Sequence, residues 1–236
     1  EEFANDHYAD VEKMLAARMK RYPLAYLLGH REFYGREFYV APAVMIPRQE
    51  TETLVERALA ISVDRTSIIV DVGTGSGVIA VTAAAHLPVA TIVAVDISID
   101  ALKVAAINAR HHEVINRVEF VMGDLLGPIV GPVDMVIANL PYIPEGDLET
   151  LQDEIRFYEP KLALTGGSDG LELIQRLLSQ APEVLAPGGT ILLEIGSPQR
   201  KDTIRLVEMA FPFAHIQVLQ DLAGWDRVLE ITTDYH

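Results

Sequence analysis

Two periods of apolar residues divide this chain. Ile68-Ile69-Val70-Asp71-Val72, Thr91-Ile92-Val93-Ala94-Val95 and Val133-Asp134-Met135-Val136-Ile137-Ala138 are short runs rich in β-branched residues. They read as strands buried on both faces. Similar runs predict strands over 118–122, 189–195, 213–219 and 226–231. Between them the apolar spacing becomes helical, predicting helices over 77–86, 99–111, 169–181 and 199–210. In the third of these, Leu171, Ile174, Leu177, Leu178 and Ala181 form one apolar face. Alternating strands and helices imply a mostly parallel sheet covered on both sides. Only residues 220–225 separate the last two runs, too few for a crossover helix, so the last strand is expected to be antiparallel.

Ahead of this alternation the pattern differs. Tyr8, Val11, Leu15, Met19 and Tyr22 recur at helical spacing and predict a helical element over 1–22, ended by Pro23. Two aromatic runs around Gly35 predict a β-hairpin over 32–40. Leu54, Val55, Ala58 and Leu59 mark one further helix. The expected division is a helix-and-hairpin part over 1–44 and a main domain over 45–236. Residues 143–167 are long for a connection. They fit a lid with a short helix around 147–155, or a packed surface excursion.

Composition narrows the function classes. No uninterrupted apolar run approaches a membrane span, and no signal-peptide pattern opens the chain, so a cytoplasmic protein without a membrane partner is expected. The absence of cysteine excludes disulfides and thiolate metal sites, and the seven histidines show no ligand spacing. No metal is expected. With 19 basic residues against 34 acidic ones the net charge is −15, which disfavours stable binding of nucleic acid through its phosphates.

The first predicted strand of the main domain runs into Gly73-Thr74-Gly75-Ser76-Gly77 and then a helix. Alternate glycines allow a tight turn and close backbone approach to a ligand at a helix N-terminus. The spacing differs from the Gly-x-Gly-x-x-Gly of dinucleotide sites, and no Gly-Lys-Ser/Thr of a P-loop follows. Asp71 precedes the loop, and Asp96 closes the next strand, where a carboxylate can accept from two ribose hydroxyls. This pair resembles the S-adenosylmethionine site of Rossmann-like methyltransferases. Asp124 and Asn139 end the following strands, so the four polar groups should converge on one crevice. Asp124 sits where the adenine amine would lie, with Leu125 packing on the ring; a plain turn aspartate fits almost as well.

Asn139-Leu140-Pro141-Tyr142 suits methylation of a planar nitrogen. Such a nitrogen is a poor nucleophile because its lone pair is delocalised. The Asn139 side-chain oxygen and the Leu140 carbonyl can each accept one N–H, and Tyr142 can stack on the flat group. Alone, the segment reads as a capped turn; on the fourth strand after a glycine-rich loop, the catalytic reading prevails. The remaining alternatives are methylation of exocyclic amines in nucleic acid and a non-catalytic S-adenosylmethionine-binding module.

A more particular resemblance rests on several segments. They are Pro23-Leu24-Ala25-Tyr26-Leu27-Leu28-Gly29, Glu32-Phe33-Tyr34-Gly35, Ile46-Pro47-Arg48-Gln49-Glu50-Thr51-Glu52, Tyr158-Glu159-Pro160, Gly166-Gly167-Ser168-Asp169-Gly170-Leu171, Glu194-Ile195-Gly196 and Ala223-Gly224-Trp225-Asp226-Arg227. Together with the glycine loop and Asn139–Tyr142 they resemble the PrmC/HemK family, which methylates a glutamine of peptide chain release factors. The resemblance implies a seven-stranded Rossmann-like fold, S-adenosylmethionine as methyl donor with S-adenosylhomocysteine as product, and release factors as protein partners. It also implies Met45 as a lining residue of the substrate pocket. Two departures stand out: Leu140 occupies the family's first proline, and the family's several N-terminal helices are represented by about one.

Overall fold

The computed structural model describes residues 2–62 and 67–234, with side chains from residue 8 onward; residues 1, 63–66 and 235–236 lie outside the described part. In chain order the elements are α1 (Glu2–Met19), α2 (Leu24–Leu28), β1 (His30–Phe33), β2 (Arg36–Tyr39), α3 (Glu52–Ser62), β3 (Ile68–Val72), α4 (Val78–His86), β4 (Thr91–Asp96) and α5 (Ile99–His111). There follow β5 (Val118–Met122), β6 (Val133–Ala138), α6 (Asp153–Tyr158), α7 (Glu172–Val184), β7 (Leu185–Glu194), α8 (Arg200–Ala210), β8 (His215–Gln220) and β9 (Asp226–Thr232).

The main sheet has seven strands in the order β5-β4-β3-β6-β7-β9-β8. Pairings from β5 through β7 are parallel, and β9 runs antiparallel between β7 and β8. Period-two alternation divides the core into two apolar clusters. Ile69, Ile92, Ile137 and Leu192 pack with the residues of α3 and α4. Val70, Val136, Ile191 and Leu193 pack with the α7 stripe of Ile174, Leu177, Leu178 and Ala181. The chain leaves β3 toward β4 and β5 on one side and returns to β6 on the other. The resulting crevice lies beyond the carboxyl ends of β3, β4 and β6, where open α/β sheets bind ligands.

The β1–β2 hairpin pairs antiparallel, and its Phe33 and Phe38 belong to the same apolar cluster as α3 and α4. Asn108 on α5, fully buried, accepts from Tyr39 N at 2.7 Å and donates to Tyr39 O and Ser76 O at 3.0 and 2.7 Å. One amide thus fastens the hairpin to the glycine loop.

Residues 143–167 form a packed excursion. At its base Ile143 bridges Thr165, and Gly166 N donates to Ile143 O at 3.0 Å. Farther out, Arg18 pairs with Glu154 at 2.9 Å, and the Tyr158 hydroxyl donates to Lys20 O at 2.6 Å. The expected helix near 147–155 is a 3-10 turn over Glu145–Thr150 followed by α6. The apolar stripe of α1 has no such cover among the described residues: Tyr8, Val11, Leu15 and Met19 are exposed, and Tyr22 alone of that series packs, edge to face with Tyr158 at 5.0 Å between ring centres.

Two local departures from expectation have simple causes. The five-residue α2 is too short to register as a period, and it ends at Gly29 in a left-handed conformation. Pro187-Gly188-Gly189 falls inside β7 rather than before it. There the register against β6 shifts between Val133 and Met135, and Gly188 N donates to Asp234 O at 3.1 Å, so an irregularity takes up the breakers. No helix of the described residues is long and apolar enough to cross a membrane.

Candidate active site

The glycine loop turns because Gly73, Gly75 and Gly77 all have positive φ, at 75°, 55° and 81°. Gly77 has a second requirement: a Cβ there would lie 2.9 Å from Ala105 Cβ on α5. Gly73 and Thr74 donate to Val95 O at 2.8 and 3.0 Å, which holds the loop over the end of β4. Asp71 supports it from behind. Its Oδ2 accepts from Thr74 Oγ1 at 2.6 Å and from Ala80 N at 3.1 Å, while Oδ1 is buried without a partner. Burial pushes its carboxyl up to about 7, against the bonds from Thr74 and Ala80.

Asp96 faces the loop. Its Oδ2 accepts from Gly75 N and its Oδ1 from Ser98 N, both at 2.9 Å. Burial raises its carboxyl above the usual range, opposed by the N–H groups of Ser98, Gly75 and Ile97. A cavity of about 310 Å³ opens here, lined by Gly73, Thr74, Gly75, Ser76, Asp96, Asp124, Leu125, Asn139, Leu140 and Pro141. Met45, Arg48 and Thr51 close another side. Asp71 and Gly77 do not line it; they shape the loop that does. Asp124 pairs with Arg176 of α7, and both border the cavity.

A second cavity of about 230 Å³ adjoins it, lined by Tyr142, Ile143, Ile155, Glu50, Glu194 and Arg227. Met45, Arg48, Asn139, Leu140, Pro141 and Ala163 line both. The Asn139–Tyr142 segment therefore forms the partition, with Tyr142 on the second side alone. Leu140 is buried, and its Cδ2 would lie 3.2 Å from a Cβ on Gly73, so the departure from proline fills the contact between loop and partition.

The partition is braced from several directions. Gly166 and Gly170 bring backbone against it: a Cβ on Gly166 would lie 2.5 Å from Pro141 O, and one on Gly170 2.2 Å from Tyr142 O. Gln199 Nε2 donates to Tyr142 O at 2.8 Å. Asn139 Nδ2 donates to Thr51 Oγ1 at 3.0 Å, and Thr51 Oγ1 donates to Glu194 Oε2 at 2.7 Å. The Tyr142 hydroxyl donates to Glu194 Oε1 at 3.4 Å. Burial, with Glu194 adding, pushes the Tyr142 phenol up to about 12, so it stays neutral. Thr51, Arg176 and Arg227 escaped the sequence reading as site residues. Thr51 and Arg227 lay in quoted motifs, but their partners are far away in the chain; nothing local marked Arg176.

The donor set suits S-adenosylmethionine. Asp96 ends a strand where a ribose diol would lie, and the glycine loop admits close approach of a ligand. Among the described residues no group of three or more His, Asp or Glu is arranged to hold a metal.

A family described as a methyltransferase domain matches residues 64–232. The release factor glutamine methyltransferase of Moorella thermoacetica is 46% identical over 212 residues, covering 89% of this chain and 75% of that protein. The protein of the same name from Geobacter sulfurreducens is 42% identical over 217 residues, 92% of this chain and 75% of the relative. In structure, a ribosomal protein L11 methylase from Lactobacillus delbrueckii superposes with a TM-score of 0.59 at 20% identity, over 83% of this chain and 84% of that one, a likeness of fold.

Proposed function

The chain belongs to the family of release factor glutamine methyltransferases, and on that premise we propose that its two adjoining cavities hold the two reactants. S-adenosylmethionine occupies the cavity of the glycine loop, and the glutamine side chain of a release factor's Gly-Gly-Gln loop enters the other. When bound, S-adenosylmethionine supplies a methyl group already activated on a sulfonium. What remains for the chain is to position a weak nucleophile, and positioning can contribute about 7–11 kcal/mol.

Asn139 carries this reading, because it borders both cavities. Its Oδ1 and the Leu140 carbonyl accept the two amide hydrogens, which aims the nitrogen lone pair through the partition. Tyr142 covers the planar group and keeps water away. Asp96 binds the ribose hydroxyls, and Leu125 packs on the adenine beside Asp124. Met45 lines the glutamine side.

A protein substrate is supported by charge. The net charge is −15, and Glu145, Asp147, Glu149 and Asp153 are exposed on the 143–167 excursion, whose basic residues are Arg156 and Lys161. Such a balance disfavours phosphate and suits a basic protein loop. We place the enzyme in the cytoplasm, where release factors act on ribosomes. The test is a side-by-side assay at near-physiological salt with labelled S-adenosylmethionine, release factor, duplex DNA and ribosomal RNA. Label is expected on the release factor, and peptide mapping should find it on the loop glutamine. Label in nucleic acid with the release factor unmodified would transfer the reading to exocyclic amines.

A further inference from the structure

The bonds that reach Asn139 from behind determine what it can do in front. The side chains in this chain of contacts come from three places: Asn139 follows β6, Thr51 precedes α3, and Glu194 ends β7. Thr51 Oγ1 has a single hydrogen, and it donates this to Glu194 Oε2 at 2.7 Å. Toward Asn139 the hydroxyl can therefore only accept, so the group facing it must be the Asn139 nitrogen, found at 3.0 Å. The Asn139 oxygen is then left to face the cavities. A rotated amide would present N–H to N–H on the substrate side and oxygen to oxygen on the other.

We propose that Thr51 and Glu194 are positioning residues that lock the side-chain amide of Asn139 with its oxygen toward the incoming substrate amide. The proposal rests on the role given to Asn139 above. The lock needs Glu194 as an acceptor. A carboxylate accepts only, whereas a carboxylic acid can donate to Thr51, free its hydrogen to turn toward Asn139 and release the amide.

Four groups face Glu194 from the elements around it. Thr51 and Glu50 approach from the segment before α3, Tyr142 from the partition and Arg227 from β9. Burial pushes the Glu194 carboxyl up to about 7, with the Thr51 bond and Arg227 pulling it down and Glu50 pushing it up. The lock should therefore engage as pH rises through neutrality.

The experiment compares wild type, Thr51→Val, Thr51→Ser and Glu194→Gln. In Thr51→Val, kcat on a release factor should fall at least about tenfold, with KM for the release factor and affinity for S-adenosylmethionine changing far less, whereas Glu194→Gln keeps an acceptor oxygen that cannot take up a proton and should keep most of the turnover without its pH dependence. Thr51→Ser keeps the hydroxyl and should retain most of the turnover. Wild-type kcat should rise with pH around neutrality, and that limb should vanish in Thr51→Val. A readout without turnover is the Asn139 side-chain NH2 signal in nitrogen-15 NMR, identified by its loss in Asn139→Ala. It should titrate with Glu194 in wild type and not in Glu194→Gln. Wild-type kcat in Thr51→Val, or an intact pH limb in Glu194→Gln, would overturn the proposal, as would an Asn139 signal insensitive to pH. If Thr51→Val fails to fold, Glu194→Gln and the wild-type titration decide. Absence of methylation by wild type would refute the substrate reading instead, leaving the NMR titration to judge the lock.

Discussion

Arg48 Nη2 donates to Glu159 Oε1 across 2.6 Å, joining residues 111 apart in sequence. Glu159 Oε2 also accepts from Ile46 N, and burial raises this carboxyl while Arg48 lowers it. The pair ties the Met45–Arg48 wall of both cavities to the 143–167 excursion. Removing the cation from a fully buried pair costs about 3–5 kcal/mol. The Arg48 side chain is 32% exposed, so Arg48→Ala should cost less, about 1–3 kcal/mol. Denaturant unfolding should show the lower midpoint, and KM for the release factor should rise as the wall loosens. An unchanged midpoint would show that the pair is incidental.

Asp96→Ala should weaken S-adenosylmethionine by about 1.5–3 kcal/mol, the loss of hydrogen bonds to a charged acceptor. Because Asp96 also holds Gly75 N, part of that loss comes through the loop. Titration calorimetry measures it, and wild-type affinity in this variant would remove Asp96 from the site.

Asn139→Ala should abolish turnover and keep most of the affinity for S-adenosylmethionine. Its acceptor matters chiefly as the substrate nitrogen pyramidalises, so the loss belongs in kcat. Single-turnover rates with saturating release factor provide the measurement. Near-normal rates would refute the role.

Gly77→Ala and Gly29→Ala separate strain from collision. Both glycines have positive φ, at 81° and 75°, but a Cβ at Gly29 meets open space and one at Gly77 meets α5. Gly29→Ala should cost about 1–2 kcal/mol from the left-handed conformation alone. Gly77→Ala should cost more and also weaken S-adenosylmethionine, because α4 and the loop must shift. Equal melting temperatures for the two variants would contradict the contact.

Asp71 should make stability depend on pH. Its folded carboxyl is raised from 3.8 to about 7. Protons therefore bind the folded state more tightly, and the contribution is fully present below 3.8 and lost as pH rises through about 7. Thermal midpoints measured across that window should decline in wild type, and the decline should be shallower in Asp71→Asn. An identical slope in both proteins would show that other groups dominate.

Most of the sheet was legible because central strands such as β3 and β6 are buried on both faces and appear as apolar runs, and β3, β5 and β6 have the expected ends. Breakers were less reliable: the strand expected over 189–195 starts at Leu185, and bonds of Gly188 and Gly189 with Asp234 and Thr233 keep Pro187-Gly188-Gly189 within β7. In α1, spacing disclosed the helix but not what its apolar face meets, since that depends on neighbours. The same distinction runs through the site. Asn139 and Asp96 could be placed because strand ends in this topology converge. Thr51 and Glu194 touch across 143 positions, and no local pattern encodes such a partner. The Gly166–Gly170 motif was visible, but its reason, backbone seated against the carbonyls of Pro141 and Tyr142, required the fold.

Asn108 spends its carbonyl and its amino group on two segments that have no covalent proximity, Tyr39 at the hairpin and Ser76 in the glycine loop. Local opening of either segment strands a fully buried amide, so the two must open together or bear that cost. A ligand that orders the loop should thereby also tighten the hairpin, and by reciprocity whatever grips the hairpin should raise affinity for that ligand. A single side chain thus links the hairpin to the occupancy of the loop.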